Sequence, residues 1–190
     1  MIGDRRSVIG ALLGAAVLAS AASPPGNPHV GPLKQGAIGY YDGACAHCHG
    51  PYGSAYGKAF FTHYDLAKLA KTIKEMAEGP GQSPLDPEGL KAQTAFHQAI
   101  ITGAPFIDWT GRTGATLSGE VTRRSIFTAR AKGVAVAVAV SGTQWTLAMP
   151  PGTAPGDLTL TAILKGKTTV WRPDKYPYSL PPKWPPGPVK

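Results

Sequence analysis

The sequence predicts an α+β chain in two domains, a small all-α domain followed by an antiparallel β-sandwich. Three observations lead there. Between Asp65 and Gly103, apolar residues recur at intervals of three and four, the period of a helix with one buried face. From Ala115 to Trp171 the period drops to two, in short runs separated by Gly-, Pro- and Lys-containing turns. The length, 190 residues, is enough for one ordinary domain or two small ones.

The N-terminus comes before the fold. Arg5 and Arg6 precede an apolar run from Val8 to Leu18, which ends at the small residues Ala19-Ser20-Ala21. That order is the pattern of a cleaved export signal over 1–21, and the run is too short to span a bilayer comfortably. The processed chain is therefore expected in the periplasm and not as an integral membrane protein. Residues 22–32, with four prolines and two glycines, read as a linker.

The first domain is expected over 33–114. A short helix, weakened by Gly36, Gly39 and Gly43, runs from Leu33 to Ala44. A Gly- and Tyr-rich loop covers Gly50–Gly57. Asp65 then caps a helix whose apolar face is Leu66, Leu69, Ala70, Ile73, Met76 and Ala77, stopped by Gly79-Pro80-Gly81. Asp86 caps another, with Pro87 at its first position. Leu90, Thr94, His97 and Ile101 form one stripe of that helix, which stops at Gly103. Strands of the second domain, 115–173, are expected at Thr116–Thr122, Ser125–Arg130, Val134–Val140, Gln144–Met149, Asp157–Leu164 and Thr168–Trp171. Residues 174–190 form a proline-rich tail, expected to be extended and partly disordered, with Trp184 in it.

One stretch carries chemistry. Cys45-Ala46-His47-Cys48-His49 holds both cysteines of the chain, three residues apart, with a histidine directly after the second. This is the c-type haem attachment signature. Two thiols one helical turn apart can form thioethers to the two vinyl groups of one porphyrin, and the next residue places an imidazole under the iron. A zinc site would need two more ligands at motif-like spacing, and none appears. A redox dithiol of the thioredoxin kind expects a βαβ setting, which is absent around Cys45. The motif occurs once, so the expected cofactor is one haem c per chain.

Cys45-Ala46-His47-Cys48-His49, the following Gly50-Pro51 and a helix on either side of the loop beyond resemble the class I cytochrome c family of small monohaem electron carriers. The resemblance covers about Leu33 to Gly103. It implies Cys45 and Cys48 as the haem anchors, His49 as the proximal iron ligand, and a crossing of first and last helices at Gly39 and Phe96. The family usually places its distal methionine in the loop before the last helix. Here that loop reads Gly79-Pro80-Gly81-Gln82-Ser83-Pro84, with serine in its place. Met76 is the nearest candidate for the sixth position, and open iron, His63 and His97 are the alternatives. Gly119-Glu120-Val121-Thr122 and Ser141-Gly142-Thr143-Gln144-Trp145 resemble the bacterial immunoglobulin-like modules of secreted proteins, which implies a fold and not a function.

Charge is unevenly placed in a chain of net charge +8. Residues 37–114 are near neutral, whereas 115–190 hold ten basic residues against three acidic. Such a surface can steer an acidic redox protein or face a membrane-bound complex. Nucleic acid is not an expected partner of an exported chain with no recognisable binding motif. The expected function is single-electron transfer between redox partners in the periplasm, without enzymatic bond-making. The alternatives are binding or sensing of a diatomic ligand at open iron, and a peroxidase-like activity using His63 or His97 as acid–base group.

Overall fold

The structure, a computed structural model, describes residues 31–61 and 65–181. The expected export signal, the linker up to residue 30, His63 and the tail from residue 182, including Trp184, lie outside the described residues.

Four helices come first: α1 Ala37–Ala44, α2 Ala46–His49, α3 Leu66–Glu78 and α4 Pro87–Thr102. The last two begin where local chemistry dictates. Asp65 accepts a hydrogen bond from the Lys68 amide at 2.7 Å, and Asp86 one from the Gly89 amide at 2.7 Å. Gly103 closes α4 in the left-handed conformation, φ 64°. Helix α3 buries Leu69, Ile73 and Ala77 and carries Lys71–Glu75 and Lys74–Glu78 pairs outside. No helix among the described residues is long and apolar enough to cross a membrane.

Eight strands follow: β1 Ile107–Thr113, β2 Thr116–Val121, β3 Ile126–Ala131, β4 Val134–Val136, β5 Val138–Ser141, β6 Gln144–Ala148, β7 Leu158–Leu164 and β8 Lys167–Trp171. They form two four-stranded antiparallel sheets, ordered β1-β2-β6-β5 and β4-β3-β7-β8. The run read as one strand, Val134–Val140, is two, and the chain passes from one sheet to the other at Ala137. Ile107, Leu117, Trp145 and Leu147 of the first sheet share one core with Leu158, Leu160, Ala162 and Trp171 of the second. Trp145 donates its indole N–H to the carbonyls of Asp108 and Glu120 at 3.1 and 3.0 Å. Gly119 permits that approach, since a Cβ there would lie 1.9 Å from the Asp108 carbonyl oxygen and 2.6 Å from the Trp145 ring.

The expected class, a small all-α domain of the cytochrome type followed by an immunoglobulin-like sandwich, is corrected. The molecule has four short helices in its N-terminal part and two four-stranded sheets after them, and the helices do not form a self-contained unit. Their core of Leu33, Ile38, Tyr41, Phe96 and Ala99 is completed by Phe106 and Tyr178, which come from the sheet-bearing part of the chain. Strand β1 lies inside the stretch read as helical-domain sequence. The start of the tail is also ordered: Trp109 donates its amide to the Pro177 carbonyl at 2.8 Å, and Ser179 its amide to Ile107 at 2.7 Å, so 177–179 cover the edge of β1. The reason is area. Helices this short present too little apolar surface to enclose a core alone.

Candidate functional site

The site begins with the start of α1, which delivers the chain to Cys45. Gly36 precedes this helix and has no side chain to cap it. The first amides are bonded instead by two buried acids from the first sheet. Ala37 donates to Asp108 Oδ2 at 2.7 Å, Ile38 to Glu120 Oε2 at 2.7 Å, and Gly39 to both Glu120 oxygens at 3.1 and 3.0 Å. These are the donors that a helix start leaves without a partner, at the end favoured by negative charge. Burial, reinforced by the neighbouring Glu120, raises the Asp108 carboxyl well above the usual carboxylate range, against the pull of the Ala37 and Glu120 amides. A Cβ on Gly36 would lie 2.2 Å from the Glu120 carboxyl carbon, so only glycine admits this acid. Gly39 faces the same carboxyl, and Phe96 instead packs edge-on against Tyr41 and Phe106. The expected crossing of Gly39 on Phe96 is therefore corrected.

Beyond α1, Cys48 and His49 donate their amides to the Cys45 carbonyl at 3.2 and 3.0 Å, winding the motif into the single turn of α2. Gly50, at φ 70°, ends that turn, and Tyr41 donates its hydroxyl to the Gly50 carbonyl at 3.0 Å. Cys45 and Cys48, three apart on a helical turn, thus share one face. Both thiols are free; Cys45 is half-buried and Cys48 exposed. Burial pushes the Cys45 thiol up. A redox-active dithiol requires the opposite shift, so this environment disfavours that chemistry.

Cys45, Cys48 and His49 line one cavity of about 510 Å³ between α2 and α3. Leu69, Ile73 and Met76 of α3 form another part of its wall, and Tyr56, Phe60 and His97 complete it. Its size is that of an ordinary cofactor or small-ligand cleft, and its lining is mainly apolar. Met76 lines the cavity while 41 % exposed. The Tyr56 ring lies 4.6 Å from that of His49 and stacks on Phe60 at 3.8 Å.

His97 is also there, but both of its nitrogens are occupied. Nδ1 lies 2.8 Å from the Gln93 carbonyl, which can only accept, so Nδ1 carries the proton. Nε2 then accepts from the Tyr56 hydroxyl at 2.9 Å. Burial lowers the pKa of His97 to about 4, so the ring is neutral at ordinary pH. Met149 belongs to the sheet core, away from the site.

Sequence reasoning missed Asp108, Glu120 and the Tyr56–His97 pair. No local signal announced the acids: the sequence reading starts the first helix at Leu33, whereas it begins at Ala37 after Gly36. Among the described residues, no group of three or more His, Cys, Asp and Glu side chains is placed to hold a metal ion by itself. No family model matches the chain, and no curated protein matches it.

Proposed function

We propose that this chain is a periplasmic c-type haem protein that passes single electrons between redox partners. The observation that carries the proposal is the one cavity lined by Cys45, Cys48, His49 and Met76. The residues fit the group: two free thiols one turn apart, an adjacent imidazole, an apolar wall and a volume suited to a flat cofactor. Cys45 and Cys48 would hold the porphyrin, and His49 and Met76 the iron. The group would supply a site that accepts and returns one electron. The chain supplies the rest. Leu69, Ile73 and Phe60 give the cavity apolar walls, and the Gln93 carbonyl and the Tyr56 hydroxyl satisfy the two nitrogens of His97 among them. Because both His97 nitrogens are bonded, Met76 is favoured over His97 as the residue that would hold the iron with His49. The basic surplus of 115–190 would face an acidic redox partner or a membrane-bound complex.

The test is the optical spectrum of protein made in cells competent in cytochrome c maturation, oxidised and reduced, with and without carbon monoxide. The expected form is low-spin and unmoved by carbon monoxide, with a sulfur-to-iron charge-transfer band that disappears in Met76→Ala. Immediate carbon monoxide binding by the wild type would favour the diatomic-ligand alternative. The Cys45→Ala/Cys48→Ala variant should retain no haem after acid–acetone extraction or denaturing electrophoresis. Haem still attached in that variant would overturn the proposal.

A further inference from the structure

A second cleft lies apart from the thiol-lined cavity, at the junction of helices and sheets. Its volume is about 630 Å³. Ala46, Pro51 and Tyr52 line it, whereas the first cavity takes Cys45, Cys48 and His49, so the motif and the turn after it lie between the two. Phe96 and Ile100 of α4 and Leu164 at the end of β7 give it apolar walls. Arg123 and Arg124, in the turn after β2, and Lys165, in the β7–β8 turn, supply its charge, and all three are exposed.

None of these three cations has an ion-pair partner among the described residues. Neighbouring Lys167 differs, since its ammonium caps the end of α4 at the Thr102 carbonyl. Asp42 is the one acidic residue in the lining. The turn is held in place from the helical side, where the Arg123 amide donates to the Tyr52 hydroxyl at 2.8 Å. Three unpaired cations around one concavity repel each other and attract an anion. An apolar wall beneath them selects an anion with an apolar body over a bare one. A concave, partly enclosed cleft of this size is also the shape of a small-molecule site and not of a flat protein interface.

We infer that this cleft binds a small amphipathic carboxylate, its apolar body against Phe96, Ile100 and Leu164 and its charge at Arg123, Arg124 and Lys165. The inference goes beyond the haem proposal and does not need it.

The experiment is calorimetric titration of the purified full chain with octanoate, octanol and hexaglutamate, with methyl NMR of Ile100 and Leu164 to locate the ligand. Octanoate is expected to saturate with a Kd at or below about 1 mM, octanol to bind about tenfold more weakly or worse, and both methyl groups to shift. Arg124→Asn with Lys165→Asn should weaken octanoate about tenfold with an unchanged circular dichroism spectrum. Asparagine is chosen because both positions have positive φ, 65° and 48°, which it tolerates. Absence of saturation, octanol binding as well as octanoate, a double variant with unaltered affinity, or shifts confined to other methyl groups would each overturn the inference. Tighter binding of hexaglutamate than of octanoate would also overturn it, in favour of an acidic protein partner.

Discussion

His97 shows how one buried ring sets a pH limit. It is neutral in the fold, with a pKa of about 4 against an ordinary 6.5, because burial disfavours its charged form. Between those values the unfolded chain binds the proton that the folded chain refuses. The stability His97 contributes is therefore complete above about pH 6.5 and lost as pH falls toward 4. The slope in that window is at most about 1.4 kcal/mol per pH unit. Urea unfolding followed from pH 7 to pH 4.5 should show this loss, and His97→Asn should flatten the dependence there. An unchanged slope in the variant would mean that other groups dominate the acid limb. No spacing in the sequence announces this pairing, since Tyr56 and His97 lie 41 positions apart and meet only through the fold.

The elements divide by where their instructions lie. Helices α3 and α4 were legible because Asp65, Asp86 and Pro87 act on amides within the next three residues. Strands β2, β3, β6, β7 and β8 were legible from alternation. Strand β1 was not, because Asp108 takes a buried position and the register shifts between Trp109 and Gly111, which breaks the alternation. The start of α1 was hidden for a related reason: its caps come from residues more than seventy positions away. Glu120→Ala should thus leave the buried Ile38 amide without a partner and remove that of the more exposed Gly39, at a cost of about 1–3 kcal/mol in urea unfolding. Gly36→Ala should also destabilise, by about 1–3 kcal/mol, through collision with the Glu120 carboxyl. If both substitutions prove neutral, the acids are not what fixes α1.

At the scale of the molecule, helices and sheets are joined by Asp108, Glu120, Phe106 and Tyr178 into a shared structure. Cooperative unfolding is the expected consequence. Trp109, Trp145 and Trp171 all report on the sheet core, while ellipticity at 222 nm reports mainly on the helices. Transitions followed by tryptophan fluorescence and by ellipticity should coincide in urea. Two separated transitions would show that the helical part folds alone after all. The candidate site was legible in part. Cys45, Cys48 and His49 are a local motif and need no fold to be recognised, and Leu69, Ile73, Met76 and His97 were readable as helix stripes, whereas their meeting with Tyr56 and Phe60 in one cavity depends on the packing of α3 and α4 and was out of reach of any local pattern.

The pairing of residues 177–179 with β1 bears on the order of events during synthesis. Tyr178 stacks on Phe106 and lies in the same cluster as Tyr41 and Phe96. A ribosome releases the chain from its N-terminus, so the motif emerges well over a hundred residues before Tyr178. Until that tyrosine arrives, the cluster around the motif is incomplete and Cys45 lacks its finished packing. If the two thiols take the cofactor proposed for them, late closure of this kind would act as a built-in delay, keeping the attachment site reachable until residues 177–179 are in place.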